Sequence, residues 1–537
     1  MFRKTQFAII LGLTLAVATL LTGCESTMES DPAPSEETQV TTLEYVSEMD
    51  KIKVMSFEIT VGEAEWQAML DNAAAEEYIS ADITINGTTI RNVGIRPKGN
   101  SSLSSIVRDE TTDRYSFKIK FDEYVEGQTW LGLDKIVLNS NFSDATSLKE
   151  YLSYDIMSYI GVDAPLFAFA DISLNGKTWG FYLAVEDLDS GYLERVYNDE
   201  GELYKPEAAM GAGGMGGGRL PDGANTGQGV APNETDATQN PALTMPGRPN
   251  GGGMRGMANN GVSLQYTDDE IGSYSAIFDN AATKTDEADQ QRVIEALKNL
   301  GEGKELETYV DVDAVLRYFA AHTVVVNLDS YVSNMGHNYY LYENEGQISI
   351  LPWDYNLAFG GFQSGSASDV VNFPIDTPVS GVSMEERPLL AKLLEVPEYL
   401  EMYHGFLQEI VDGYFADGQF EQTVDKLSLT ISEYVKNDPT AFYGYEEFEA
   451  GIVELKELGA LRAESIQGQL NGTIPSTTES QEGDSSALID SSSVNLQSLG
   501  SQGGGGDRGG PGGAGGPGGQ GGFPEMNGMD SQIGKNP

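Results

Sequence analysis

The chain holds 537 residues, with 82 acidic and 32 basic side chains and a formal net charge of −50. That surplus makes nucleic acid and anionic lipid poor partners for its body and favours cations and basic peptides. Its single cysteine, Cys24, excludes a disulfide within the chain.

At the amino terminus, Met1-Phe2-Arg3-Lys4 precedes an apolar run from Phe7 to Leu21 and then Thr22-Gly23-Cys24. This is the pattern of an export signal over residues 1–24, cut before a cysteine whose thiol is then lipidated. The run is shorter than the ~20 residues a spanning helix needs. The expected location is therefore the outer face of the cell membrane, with the lipid at Cys24 as the only membrane contact. Residues 25–45, rich in Ser, Thr, Glu and Pro, read as a flexible stalk. A Gly/Met/Asn/Pro tract over 210–260 and a Ser/Gln-rich, then Gly-rich tail over 474–537 hold too little apolar surface to offset the entropy of ordering. The folded body is then expected over 46–473, interrupted by the 210–260 insertion.

Within that body, KVMSFEITV, ADITINGTTIRNVGIRPKGNSS and RYSFKIKFDEY alternate with period two, and Asn86-Gly87 marks a hairpin. LNSNFSDATSLKEYLSYDIMSYIG predicts a helix capped by Ser143 or Asp144, with Leu148, Leu152, Ile156 and Ile160 on one face and Gly161 as its stop. Strands return in APLFAFADISLNGKTWGFYLAVEDLD, with a second hairpin turn at Asn175-Gly176. EADQQRVIEALKNLG and VDVDAVLRYFAAHTVVVNLD read as helices, the second running into a loop at Asp329. The hairpin HNYYLYENEGQISILPWD ends at Asp354, and helical segments close the body. The expected class is α+β, with a β-rich first half and a helical second half.

The chemistry concentrates between Val324 and Phe362. Two acidic loops stand at either end of one hairpin: Asp329 with Asn334 and Asn338 downstream, and Asp354 before an Ala-Phe-Gly-Gly turn. Phosphoryl transfer needs one carboxylate to accept a hydroxyl proton, and a carboxylate with an amide oxygen to hold magnesium on the phosphates. Asp329 suits the first role, and Asp354 with Asn338 or Asn334 the second. Upstream, the turn GIRPKGNSS offers Arg96, Lys98, Asn100 and Ser101 as a phosphate cradle. Lys118 and Lys120 share one face of the next strand, and either could reach the α- and β-phosphates. Glu150 is a helix carboxylate available to pair with that lysine. Glu186 lies in VEDLD, the segment read as a hinge whose backbone meets adenine. His337 reads as a packed or hydrogen-bonding loop residue, and Asp311 and Asp313 as favouring a helix dipole.

At RPKGNSS, SFKIKFDEY, LNSNFSDATSLKEYLSYDIM, LNGKTWGFYLAVEDLD, LYK, NLDSYVSNMGHNYYLY and PWDYNLAFGG the sequence resembles the CotH kinase family, the spore-coat CotH-like atypical protein kinases. The resemblance implies a bilobal, atypical protein-kinase-like fold with a β-rich N-lobe and a helical C-lobe. It also implies ATP with Mg²⁺ or Mn²⁺, and transfer of the γ-phosphate to protein Ser or Thr. On that resemblance Asp329 is the catalytic acid and Asp354 the metal-binding acid, although Asn356 stands where the kinase DFG motif has Gly. The expected partner is a basic, Ser-rich protein substrate. The competing expectation is a non-catalytic cell-surface or coat-assembly protein.

Overall fold

Alternation in the first half buries one face of each strand, and these faces meet around a closed barrel. The computed structural model describes residues 43–207, 261–500 and 502. The expected export signal with Cys24, most of the stalk, the 210–260 insertion and the Gly-rich tail lie outside the described residues. Strands β1 (Val54–Thr60), β2 (Ile79–Ile85), β3 (Thr88–Lys98), β4 (Ser116–Lys120), β5 (Lys135–Asn139), β6 (Phe167–Leu174) and β7 (Lys177–Glu186) close in the order β1-β2-β3-β4-β5-β7-β6. The interior is filled by Phe57, Ile59, Ile83, Ile95, Phe117, Ile119, Leu138 and Tyr182 among others. Asn86 and Gly87, like Asn175 and Gly176, take positive φ at the tips of their hairpins, the backbone that a two-residue turn between twisted strands requires.

This closure overturns the expectation of a bilobal kinase arrangement with a β-rich lobe beside a helical lobe. The deciding contact is a parallel pairing of β1 with β6, Val54 opposite Phe169 through Ile59 opposite Leu174. It leaves the barrel without open edges. Nor are the helices a separate lobe. Val137, Phe169, Phe181, Leu183 and Val185, on the outer wall of β5–β7, share one core with Leu152, Ile156, Phe319 and the helices behind them. Arg114 and Asp438, each 3% exposed, add a buried ion pair of 2.7 Å between barrel and helical segment.

A three-stranded sheet, β10-β9-β8, is built from β8 (Glu202–Tyr204), β9 (Tyr339–Asn344) and β10 (Gln347–Pro352). It carries the expected hairpin between the acidic loops. The Glu150 helix runs Lys149–Tyr159 and starts later than the predicted cap, because Asp144 instead accepts from the backbone N–H groups of Thr146 and Lys149. Asp311 does cap the helix Val312–Val325, accepting from Ala314 N–H at 3.1 Å. Two boundaries also move. Tyr45 is fully buried, so the body begins inside the predicted stalk, and Ile474 and Leu499 are buried, so residues 474–500 pack on the body rather than joining the tail.

Candidate active site

The helix Val312–Val325 ends where Val326 turns to φ +48°, a costly conformation for a β-branched residue, and delivers Asn327 and Asp329 to a buried loop. Asn327 ties the two acidic loops together. Its Oδ1 accepts from Asp329 N–H at 3.2 Å, and its Nδ2 donates to the carbonyl of Asp354 at 3.3 Å. Beneath them His322 bridges Ser330 Oγ at 3.1 Å and the Tyr355 hydroxyl at 2.8 Å. The sequence offered a signal for Asn327, an amide inside the apolar run VVVNLD, and none for His322.

Both carboxylate oxygens of Asp329 are engaged. His337 Nε2 lies 2.6 Å from Oδ1, and Asn338 Nδ2 donates to Oδ2 at 3.1 Å and to the Asp329 carbonyl at 2.9 Å. Burial works against a proton on His337, but the hydrogen bond and charge of Asp329, with Asp354 and Glu207, raise its pKa above the ordinary histidine value. Asn334, the competitor of Asn338, is exposed and sits beside Gly381.

Asp354 takes φ +62°. Among the described residues it spends only its backbone on hydrogen bonds, its N–H reaching the Tyr154 hydroxyl at 3.1 Å and its carbonyl accepting from Asn327. Its carboxylate faces Lys98, Lys205, Glu150 and His337 electrostatically. Glu150 is buried, accepts from Asn139 Nδ2 at 3.0 and 2.9 Å and from Tyr154 at 3.1 Å, and is pushed above the usual carboxylate range by burial and then by Asp354.

Of the candidate cations, Lys98 is the one that faces Asp354 and Glu150. It leaves the end of β3, approaches Asn139 Oδ1 at 3.3 Å and lies 5.4 Å from the Trp353 ring. Burial lowers its pKa, with Lys205 acting the same way, while Asp354, Glu150 and Asp187 pull it back up. Lys118 pairs with Asp187 at 2.5 Å on the same outer wall, and Lys135 with Asp189 at 2.7 Å. Lys120 points along the wall to Glu123 at 3.0 Å, and Arg96 pairs with Glu76 and stacks by Tyr78; neither is brought to the acids. Asn100 and Ser101 are exposed at the turn that follows Lys98.

Glu186, in the segment expected to present its backbone to adenine, keeps its side chain out of the site. It is fully buried, with Tyr45 at 2.7 Å, Leu166 N–H at 2.9 Å and Arg195 at 2.8 and 2.5 Å, and so braces the barrel end. Strand alternation turns its neighbour Asp187 to the site instead. Asn139, Asp187 and Lys205 were not singled out from sequence, although LYK ends at Lys205.

A divalent cation fits this donor set. The Asp354 carboxylate is not engaged by a described donor, and Asn338 commits its nitrogen to Asp329, which leaves its amide oxygen as a ligand atom. Among the described residues no group of three or more His, Cys, Asp or Glu is arranged to hold a metal alone. Magnesium bound through one or two protein groups plus phosphates does not need such a cage.

Residues 95–466, more than half of the chain, match the profile of a family described as CotH kinase protein. The chain belongs to the CotH family. It is also similar to the inner spore coat protein H of Bacillus subtilis (strain 168), 23% identical over 333 residues that cover 61% of this chain and 75% of that protein. The CotH match spans Lys98, Asn139, Glu150, Asp187, Asp329 and Asp354. Among the described residues no helix is long and apolar enough to cross a membrane.

Proposed function

We propose that this CotH protein is an atypical protein kinase that transfers the γ-phosphate of ATP to Ser or Thr of an exported or coat protein. The observation that carries the reading is the convergence of Lys98, Glu150 and Asp354 on one side and Asp329 on the other, joined through Asn327. In this reading Lys98 and Lys205 bind and orient the triphosphate, and Glu150 with Asn139 fixes where Lys98 can stand. Asp354 and the Asn338 oxygen hold Mg²⁺ or Mn²⁺, which when bound neutralises charge on the phosphates. Asp329 orients the acceptor hydroxyl and takes its proton, held in place by His337 and Asn338. Positioning and fixed charge supply the rate.

The proposed acceptor is a basic, Ser-rich segment, in keeping with the net charge of −50. The proposed location is the cell surface, through a lipid at Cys24, or a coat, as in the name of the Bacillus relative. A second reading, coat assembly without transfer, draws on that same name and on the engagement of both Asp329 oxygens. Incubation of the chain with γ-labelled ATP, Mn²⁺ and basic Ser peptides separates the two. Label on peptide supports the kinase, and calorimetric ATP binding with no label supports assembly.

A further inference from the structure

The matched family region ends at residue 466, yet the chain returns to the site beyond it. Leu499 is 1% exposed in the main core, and its carbonyl accepts from Ala145 N–H at 3.1 Å. The next carbonyl, that of Gly500, accepts from Lys149 Nζ at 2.7 Å. Lys149 is fully buried, and its other acceptor is the Ser143 carbonyl at 3.1 Å. Two residues further, Gln502 N–H donates to the carbonyl of Gly361 at 2.8 Å, in the loop that follows Asp354. The same short segment therefore grips both the turn that starts the Glu150 helix and the loop that leaves Asp354.

Its seat is shaped for it. Gly500 has φ +74°, and a Cβ there would meet Ser143 O at 2.7 Å, the Tyr443 hydroxyl at 2.8 Å and Ala145 N at 3.0 Å. On the facing helix, Gly451 lets the Ser498 carbonyl approach where a Cβ would stand 2.9 Å away. Asn495 N–H to Glu454 at 2.8 Å and Ser493 to Glu457 at 3.0 Å fasten the segment to that helix before it reaches the site.

We propose that residues 494–500 with Gln502 form a strap that positions Glu150 relative to Asp354, with Lys149 as its anchor. A buried ammonium whose acceptors come from two separate segments locks their spacing, since releasing one leaves a desolvated charge under-coordinated. Lys149 and Gly500 are positioning residues that act through the neighbouring Glu150. The catalytic consequence rests on the kinase reading above, whereas the mechanical one does not.

Hydrogen–deuterium exchange on the full chain tests the strap, with Gly500→Val to pry it off its seat and Lys149→Met to remove its anchor. Both variants are expected to speed exchange over residues 145–150 by about tenfold, and Gly500→Val also over 358–362, with the helix Glu287–Glu302 unchanged. A chain ending at Gln502 should exchange like the wild type. Uniform acceleration that includes Glu287–Glu302, no acceleration in either variant, or the same local loss in the chain ending at Gln502 would each overturn the strap. In transfer assays both variants should lower kcat more than they raise KM for the acceptor. If the wild type transfers no phosphate, the kinase reading falls and the exchange result alone decides the strap.

Discussion

His322 Nδ1 and the Tyr355 hydroxyl stand 2.8 Å apart in the core, and the other nitrogen of that ring meets Ser330 Oγ at 3.1 Å. One imidazole thus braces the Asp329 loop against the Asp354 loop. Burial pushes its pKa down to about 4, below the unfolded value of ~6.5. Between those values the unfolded chain binds the extra proton. This contribution to stability is therefore complete above pH ~6.5 and is lost as pH falls toward ~4, by up to about 3 kcal/mol. Urea unfolding at stepped pH should show that limb, and His322→Gln should flatten it on a lower baseline. An unchanged acid limb in the variant would assign the loss to other groups.

Lys98 and Lys120 lie on adjacent strands, but only Lys98 faces Asp354 and Glu150, whereas Lys120 is held by Glu123 at 3.0 Å. Lys98→Met should cut phosphate transfer by about 100-fold or more. Lys120→Met should stay within about threefold of the wild type, since a partly exposed ion pair contributes little. Equal losses from steady-state rates would count against the assignment of Lys98.

Asn327 is the amide shared by the two acidic loops. Asn327→Leu keeps the volume and removes both hydrogen bonds, leaving the Asp329 N–H without its partner. The expected cost is about 1–3 kcal/mol of stability, with a larger proportional loss of transfer than of ATP affinity. Denaturant midpoints and single-turnover rates measured together check this; normal transfer in the variant would show that the two loops hold their spacing without it.

Arg114 and Asp438 join the barrel to the helical part through a buried pair, with Arg114 also donating to the Ser140 carbonyl at 2.9 Å and to Phe181 O. Asp438→Ala strands the guanidinium and should cost about 3–5 kcal/mol by chemical unfolding. Replacing both partners with apolar residues should cost less than the single change.

Much of the site was legible because its chemistry is local. Asp329 and Asp354 lie at the ends of one hairpin, and the strand-forming run between them fixes their spacing in the sequence itself. The Asn-Gly hairpins were legible for the same reason, since the turn chemistry sits in two adjacent residues. What sequence pattern hid was long-range pairing. Nothing in the alternation of Val54–Thr60 announces β6 as its parallel partner, so an open lobe was expected where a barrel closes. Side-chain parity at a strand end was hidden in the same way. Glu186 and Asp187 are adjacent carboxylates on one strand end, and only the register of β7 decides which is buried against Arg195 and which pairs with Lys118. Lys149, which no sequence pattern singled out, is buried because distant chain supplies its acceptor.

In the proposed division of roles, Asp354 holds the metal-bound nucleotide while Asp329 serves the acceptor hydroxyl. The most direct measurement pairs calorimetric binding of Mg-ATP with γ-phosphate transfer for the wild type, Asp354→Ala and Asp329→Asn. Asp354→Ala should lose both binding and transfer, whereas Asp329→Asn should retain binding within about threefold and lose transfer by about 100-fold or more. Transfer that survives Asp329→Asn, or nucleotide binding that is indifferent to Asp354→Ala, would contradict that division.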